Sequence, residues 1–230
     1  MKVAVINFSG NVGKTTVARH LLAPRMGHPA EISIESINAD GADGEALRGR
    51  QFGELHEMLS LTNNAVIDIG SSNVEDFIAR MAQFEGSHEE IDYFVVPVSP
   101  KDKPQRDTAS TITALSDIGV PADRIRVVFN IVGIGEDPKH VFHALFAYHE
   151  GTRNFTINPA AAIHYNEIFE RLRVVGKTIA ELLEDKTDYR AKIKETDDQE
   201  EKVLCARIIA TQRLASGITR EFDSVFKALF

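Results

Sequence analysis

The residues best suited to bind a phosphate lie near the start of the chain, in segment 7–16. This segment follows the apolar run 3–6 and leads into a helical pattern. At such a strand-to-helix turn, backbone N–H groups point at one anion, a lysine reaches the terminal phosphates and the next hydroxyl binds Mg²⁺. The last part of this arrangement is supplied by Gly13, Lys14 and Thr15. The sequence therefore predicts a phosphate-binding loop.

The beginning of the loop departs from the general pattern G-x-x-x-x-G-K-[ST], because Phe8 stands where the first glycine is expected. The segment resembles instead the deviant Walker loop K-G-G-x-G-K-[ST] of the ParA/MinD class of P-loop ATPases. Here it is Ser9-Gly10-Asn11-Val12-Gly13-Lys14-Thr15. Asn11 replaces a glycine of that motif, but asparagine tolerates left-handed backbone conformations better than most residues. The cradle is therefore expected to be kept.

The larger departure is Ser9, which stands where the class carries its signature lysine. The resemblance implies an ATP-dependent homodimer in which that lysine crosses the interface to the partner's nucleotide. A serine can neither reach so far nor carry charge. Lys101 or Lys103, after the fourth predicted strand, is a candidate to replace that charge. Together with Arg106 these lysines are also a candidate basic rim facing DNA or a partner, or a solvated loop.

Two aspartates follow later predicted strands. Asp68 ends the apolar run 65–69 and precedes Gly70, a Walker B pattern in which the aspartate holds Mg²⁺ and the glycine N–H senses the γ-phosphate. Asp40 lies in a stretch that resembles the I-D-x-D-P segment of the class, with Asn38 in place of its first aspartate. The resemblance implies that Asp40 aligns the attacking water, although an ordinary Asp-Gly turn is the alternative.

Three later residues are predicted to contact the base of the nucleotide. Asn130 ends the fifth predicted strand at the place of the asparagine that contacts the base in this class, and no Asn-Lys-x-Asp signature for guanine follows it. ATP is therefore favoured over GTP. Asn158 and Pro159 resemble the residues of the class that line the adenine pocket.

These assignments define the predicted site. Lys14 and Asp40 are the catalytic residues, and Thr15 and Asp68 hold Mg²⁺. ATP or ADP is contacted by Gly10, Asn11, Val12, Gly13, Lys14, Thr15, Thr16, Asn130, Asn158 and Pro159.

The elements that must position these residues alternate between apolar runs and helical patterns. Strands are predicted at 2–7, 32–38, 65–69, 93–98, 125–130 and 155–157. Helices are predicted around 14–23, 46–61, 74–84, 105–118, 138–149 and 160–173. This alternation predicts an α/β fold with a doubly wound, mostly parallel sheet flanked by helices, as in P-loop NTPases. Ligands of such a sheet bind beyond the carboxyl ends of its strands.

The last part of the chain is predicted to be helical, without strands. Residues 1–186 are predicted to form the ATPase core, and 187–230 a helical segment packed on that core or on a dimer interface. A break is expected at Ser216-Gly217, before a last helix. That helix carries an apolar face formed by Ile218, Phe222, Val225, Phe226 and Leu229. Because its polar face lacks a basic bias, core or dimer packing is favoured over a membrane surface.

Composition excludes several classes of protein. The 230 residues are enough for one full-size α/β domain, and the net charge of -8 argues against a surface that binds polyanions everywhere. A lone cysteine, Cys205, cannot form an internal disulfide and is expected to be a buried free thiol. No apolar run reaches the ~18 residues of a membrane span. A cytoplasmic protein without membrane insertion is expected.

The resemblance covers about residues 2–183 and is greatest to the StbB-type plasmid stability proteins. It implies a weak, Mg²⁺-dependent ATPase that dimerises around ATP and serves plasmid stability, partition or DNA positioning. A DNA-binding adaptor of the same stability system is the expected partner, and non-specific DNA binding is possible. The alternatives are a nucleotide-binding scaffold that does not hydrolyse ATP and an ATP-dependent small-molecule ligase or kinase of the same branch.

Overall fold

Six parallel strands form one sheet in the computed structural model, which describes residues 1–34 and 44–230, with side chains from residue 51 onward in the second range. The strands are β1 (Lys2–Val5), β2 (Ala30–Ile34), β3 (Ala65–Ile69), β4 (Tyr93–Val98), β5 (Ile125–Val132) and β6 (Ala162–His164). Their order is β2-β3-β1-β4-β5-β6, and every pairing is parallel. The predicted α/β fold with a parallel sheet is confirmed.

Helices connect the strands and flank the sheet. The first, α1 (Lys14–Thr16), continues as a π-helical turn (Val17–Leu22) and a 3₁₀ turn (Ala23–Arg25). The others are α2 (Gly44–Leu61), α3 (Val74–Gln83), α4 (Asp102–Asp117), α5 (Pro138–Val141), α6 (His143–Thr152), α7 (Ile168–Val175), α8 (Ile179–Glu184), α9 (Tyr189–Glu195) and α10 (Gln199–Leu229). Further 3₁₀ turns lie at Ser71–Asn73, Ser87–Glu90 and Ala122–Arg124.

The central strands of the sheet are apolar on both faces, and helices cover them. All five residues of β3 are buried, including Asp68, and β4 is buried from Phe94 to Val98. Such continuous apolar runs are typical of parallel strands with helices on either side. The core of the sheet combines these strands with inward-facing residues of α2, α3 and α4, among them Phe52, Phe77 and Ile112.

The sixth strand is not where the sequence pattern predicted it. Of the expected strand 155–157, only Thr156 makes an isolated bridge, to Arg126 near the start of β5. The strand that pairs along β5 is Ala162–His164, which falls inside the predicted helix 160–173. That helix begins only at Ile168. The run Ala160-Ala161-Ala162 looked helical because alanine is the best helix former, and pairing with β5 overrides that local preference.

The chain groups into two compact units. One consists of Met1–His164 with Val225–Phe230, and the other of Tyr165–Ser224. Within α10 the helix is continuous through Ser216 and Gly217, so the predicted break there is wrong. A glycine in a helix interior costs only about 1 kcal/mol, which a helix of this length tolerates. The predicted boundary at 186/187 stays a prediction.

Most of the apolar face predicted for the last helix is buried, and its predicted packing on the core or on a dimer interface stays a prediction. The exposed fractions are 0% for Ile218, 1% for Phe222 and Val225, and 2% for Leu229. Cys205 is also buried and free. Among the described residues, none of the helices is long and apolar enough to cross a membrane.

Candidate functional site

The loop between β1 and α1 has the backbone conformation of an anion cradle. Asn11 and Gly13 both adopt left-handed conformations, with φ of 56° and 88°, so Asn11 does what the missing glycine would do. Toward the described part of the chain, the backbone N–H groups of residues 10–13 donate no hydrogen bond. Alternating left-handed residues with free N–H groups form a concavity that attracts anions. The loop lies at the carboxyl edge of the sheet, where the fold places ligands.

Gly13 cannot be any other residue without a rearrangement. A Cβ built on Gly13 would lie 2.1 Å from the side-chain nitrogen of Asn130. That nitrogen donates a hydrogen bond of 2.9 Å to the carbonyl of Val12, and Asn130 is buried. The structure thus brings Asn130 to the loop and places its amide on the loop backbone. Its predicted contact with the base stays a prediction.

Lys14 is folded over the loop that precedes it. Its ammonium donates to the carbonyls of Ser9, at 2.8 Å, and Asn7, at 3.2 Å, and only 8% of the residue is exposed. Burial lowers the pKa of Lys14, and the negative charge of Asp68 acts in the opposite direction. Phosphate is a stronger partner for this cation than a backbone carbonyl, because it adds the attraction between opposite charges to the hydrogen bond.

A divalent cation fits the residues beside Lys14. Asp68 is buried, and its Oδ2 atom makes no hydrogen bond to the described residues. It sits between two neighbouring strands, in register with Val5 of β1 and Ser33 of β2. Thr15 is half-buried, and its hydroxyl has no partner in the described part of the chain. An unpaired carboxylate oxygen and a hydroxyl are oxygen ligands of the kind that Mg²⁺ prefers.

The segment after β3 lies against the loop. A Cβ built on Gly10 would lie 3.6 Å from the hydroxyl of Ser71, in ordinary contact. The backbone N–H of Gly70, predicted to sense the γ-phosphate, donates instead to the carbonyl of Ile34 at 3.0 Å. The same carbonyl accepts from the Asn73 side chain at 2.9 Å. This segment is therefore attached to β2 in the structure.

The sequence analysis missed the residues that fix the start of the loop. The Asn7 side chain donates to the carbonyl of Pro97 at 2.9 Å and to the hydroxyl of Thr108 at 2.7 Å, and it accepts from the backbone N–H of Ser9 at 2.7 Å. The backbone N–H of Phe8 donates to the hydroxyl of Thr111 at 3.1 Å. The available signal was two threonines, three positions apart, on the face of α4 that also carries Ile112 and Leu115.

The charges near Ser9 are paired with one another. Ser9 is buried, and its hydroxyl faces Asp107. The pKa of Asp107 is lowered, mainly by a hydrogen bond from Lys103 and to a smaller extent by Ser9. Lys103 forms a 2.5 Å ion pair with Asp107, whereas Lys101 is exposed and has no ion pair with a described residue. Of the two lysines predicted to replace the missing charge, Lys101 is the free one.

Two predicted base-contacting residues are not brought to the loop. Asn158 and Pro159 precede β6, and the Asn158 side chain donates to the carbonyl of Ala228 at 3.0 Å. Near that point Phe230 packs on Tyr93, the first residue of β4, so this contact lies at the amino edge of the sheet. The predicted contact of Asn158 and Pro159 with the base stays a prediction. Asp40 and Asn38 lie outside the described residues.

The comparisons with known proteins concern the fold. No family model matches the chain, and no curated protein has a significantly similar sequence. Among solved structures, an ATP complex of a McdA variant from Cyanothece is 14% identical, with a TM-score of 0.50, and the match covers 95% of this chain and 97% of that one. Apo McdA from Cyanothece is 13% identical, with a TM-score of 0.51 and coverages of 91% and 98%. The chain has a ParA/MinD-like P-loop ATPase fold.

Another similar structure is the cell division protein MinD of Aquifex aeolicus, which is 14% identical, with a TM-score of 0.49 and coverages of 94% and 98%. In the ParA/MinD-like fold of this chain, the cradle at 10–13, Lys14 and Asp68 meet at the ends of β1 and β3. Asn130 reaches them from β5. Three separate parts of the sequence thus meet at this edge of the sheet, and their predicted roles in binding stay predictions.

Proposed function

We propose that the chain binds ATP with Mg²⁺ at the loop after β1 and hydrolyses it slowly. The observation that carries this proposal is a left-handed cradle together with the buried carboxylate of Asp68. Among the described residues, the N–H groups of the cradle donate no hydrogen bond and Oδ2 of Asp68 has no partner. A site that offers both donors for an anion and oxygen ligands for a cation suits a phosphate with its metal. ATP is also present in one of the similar McdA structures.

The roles of the residues follow from their chemistry. The N–H groups of residues 10–16 bind the phosphates, and Lys14 moves its ammonium from the loop carbonyls to them. Thr15 and Asp68 are the residues that would hold Mg²⁺, which when bound neutralises phosphate charge. Asp40 aligns the attacking water, and Asn130 fixes the loop and contacts the base.

Slow hydrolysis is expected because Ser9 stands where the ParA/MinD motif has a lysine. Ser9 brings no positive charge to the phosphates, and Lys103 is committed to Asp107. Electrostatic stabilisation of developing charge is usually the largest contribution to such catalysis. The same observation favours a second candidate, a nucleotide-binding scaffold that leaves ATP intact.

The biological role we propose is that of a dimerisation switch. ATP would join two copies into a homodimer that acts in plasmid stability, partition or DNA positioning, with a DNA-binding adaptor as partner. Support comes from the ParA/MinD-like fold and from the motif resemblance.

Light scattering with ADP, ATP and a non-hydrolysable ATP analogue tests the switch, with phosphate release measured in parallel. Dimers formed with ATP and the analogue but not with ADP, together with slow phosphate release, support it. ATP recovered intact after long incubation supports the scaffold. A burst of ADP that requires an added small molecule would indicate a ligase or kinase instead.

A further inference from the structure

Two side chains of helix α4 form hydrogen bonds with the first residues of the phosphate loop. The hydroxyl of Thr108 accepts from the side-chain amide of Asn7 at 2.7 Å, and that of Thr111 accepts from the backbone N–H of Phe8 at 3.1 Å. Both threonines are completely buried, as is Asn7. Two neighbouring loop residues are therefore each held by one side chain of the same helix.

The direction of these bonds is fixed by the helix itself. The Thr108 hydroxyl donates its proton to the carbonyl of Pro104, and the Thr111 hydroxyl donates to that of Asp107, each at 2.8 Å. A hydroxyl has one proton to donate, so only its lone pairs remain for the loop. Each threonine therefore accepts a hydrogen bond from the loop.

Asn7 connects the threonines of α4 to the next residues of the loop through hydrogen bonds. Its Oδ1 atom accepts from the backbone N–H of Ser9 at 2.7 Å, and its amide also donates to the carbonyl of Pro97 at 2.9 Å. The carbonyl of Ser9 in turn accepts from the ammonium of Lys14 at 2.8 Å. A continuous series of hydrogen bonds therefore runs from α4 through Asn7 and Ser9 to the phosphate-binding lysine.

We propose that Thr108 and Thr111 are positioning residues that hold the phosphate loop in its binding conformation from α4. The proposal rests on the nucleotide binding proposed above and adds a consequence for regulation. Because α4 holds Asn7 and Phe8 through these two hydroxyls, a displacement of this helix changes the loop and with it the release of nucleotide. Two hydroxyls in the core, far along the chain from the loop motif, set nucleotide retention.

The test compares valine and serine replacements by stopped-flow release of a fluorescent ADP analogue. Valine keeps the shape of threonine but removes the hydroxyl, whereas serine keeps the hydroxyl. We expect the double variant Thr108→Val/Thr111→Val to release ADP at least ~10-fold faster, because a buried N–H then loses its acceptor. The double serine variant should stay within about threefold of the unmodified protein, because its hydroxyls can still accept these bonds.

Thr211→Val is the matched control. Thr211 is also completely buried and also donates to the carbonyl four residues earlier, Arg207, at 2.8 Å, and this bond lies within α10. Its release rate should change by less than about twofold, since it removes only a bond within its own helix. Melting temperatures are measured for all variants, so that a general loss of stability is separated from faster release.

The outcomes distinguish the two proposals. Unmodified protein that binds no nucleotide overturns the proposed function and this inference together. Unmodified protein that binds ADP while both double variants release it at the same rate overturns the inference alone, as does equally fast release by Thr211→Val. If the double valine variant does not fold, Thr111→Val alone is compared with Thr111→Ser under the same criteria.

Discussion

The side-chain amide of Asn130 donates a 2.9 Å hydrogen bond to the carbonyl of Val12 and thereby joins β5 to the phosphate loop. Asn130 is buried, and its nitrogen occupies the space where a side chain on Gly13 would begin. The fit between a missing Cβ and a buried amide explains why the loop holds its left-handed turn at Gly13. It also makes the loop conformation depend on an element more than a hundred residues away.

Replacing Asn130 by aspartate should break the hydrogen bond to the Val12 carbonyl. The carboxylate of Asn130→Asp would have no proton to donate to the Val12 carbonyl. Two buried acceptors, the carboxylate and the carbonyl, would then face each other in place of a hydrogen bond. We expect a loss of about 1–3 kcal/mol in the free energy of unfolding and at least ~10-fold weaker binding of ATP, because the cradle depends on this contact. Urea unfolding and isothermal titration calorimetry measure the two effects.

Asn158→Asp is the matched control for that change. Asn158 also donates to a backbone carbonyl, that of Ala228 at 3.0 Å, but at the amino edge of the sheet. The variant should lose stability without losing affinity for ATP. An equal loss of affinity in both variants would mean that Asn158 lines the nucleotide site after all.

Gly13→Ala should disable the loop through a clash. The new methyl group would lie 2.1 Å from the Asn130 nitrogen, at a residue whose φ is 88°. The left-handed conformation alone costs about 1–2 kcal/mol for alanine, and the clash adds displacement of Asn130. Binding of ATP should therefore fall below detection in calorimetry.

The control is Gly27→Ala, which has a comparable φ of 67° and open space around the new methyl group. It carries the backbone cost without the clash, so it should lose stability but bind ATP normally. Wild-type affinity in Gly13→Ala would show that the Asn130 contact does not shape the site.

The sequence predicted the parts of this molecule that depend on local pattern. The apolar runs that became β3 and β4 were placed correctly because strands buried on both faces leave a continuous signal. The loop was recognised because its glycine, lysine and threonine are consecutive. Asn11 was expected to tolerate a left-handed conformation, and it does so with a φ of 56°.

What the sequence did not predict depends on pairing between distant segments. The alanine run that begins at Ala160 has helical propensity, yet Ala162 joins β5 because the sheet edge offers hydrogen bonds. Asn158, which precedes β6, donates to the carbonyl of Ala228. The hydrogen bonds that Thr108 and Thr111 accept could not be predicted, because the sequence of a helix does not show which donor its threonine hydroxyls meet.

Asp68→Asn should remove the dependence of ATP binding on Mg²⁺. The unpaired, buried Oδ2 of Asp68 is the oxygen best placed for the cation, and an amide lacks the charge that a divalent ion requires. Titrating Mg²⁺ at fixed ATP should strengthen binding in the unmodified protein and leave the variant unchanged. Asp123→Asn, at an exposed carboxylate, should behave like the unmodified protein. A normal Mg²⁺ response in Asp68→Asn would rule out the metal assignment.

A polar cluster in the unit Tyr165–Ser224 gives a prediction for pH. Asp185 accepts hydrogen bonds from Lys177 and from the Tyr189 hydroxyl, and the bond from Lys177 is the main reason that its pKa lies well below the ordinary value of 3.8. A lowered pKa stabilises the fold above pH 3.8, and this contribution is lost as the pH falls through the lower value. Asp185→Asn should therefore be less stable than the unmodified protein at pH 7.

That difference should shrink as the pH is lowered below 3.8, because Asp185 then takes up a proton in the unfolded protein while it stays ionised in the folded one. Urea unfolding at several pH values measures it. Asp197→Asn, an exposed neighbour in the same unit, should match the unmodified protein at every pH. A stability difference for Asp185→Asn that stays constant down to strongly acidic pH would show that the ion pair does not cause it.

The central claim is that the loop at Lys14 binds ATP, and its most direct test is the affinity of Lys14→Gln for ATP with Mg²⁺. Glutamine keeps the length of the side chain without its charge, and Lys227→Gln removes an exposed lysine of α10 as a control. The account predicts that the unmodified protein and Lys227→Gln bind ATP alike, while Lys14→Gln, still folded, binds at least ~10-fold more weakly because a charge-assisted bond to phosphate is lost. Equal affinity in all three proteins would contradict it.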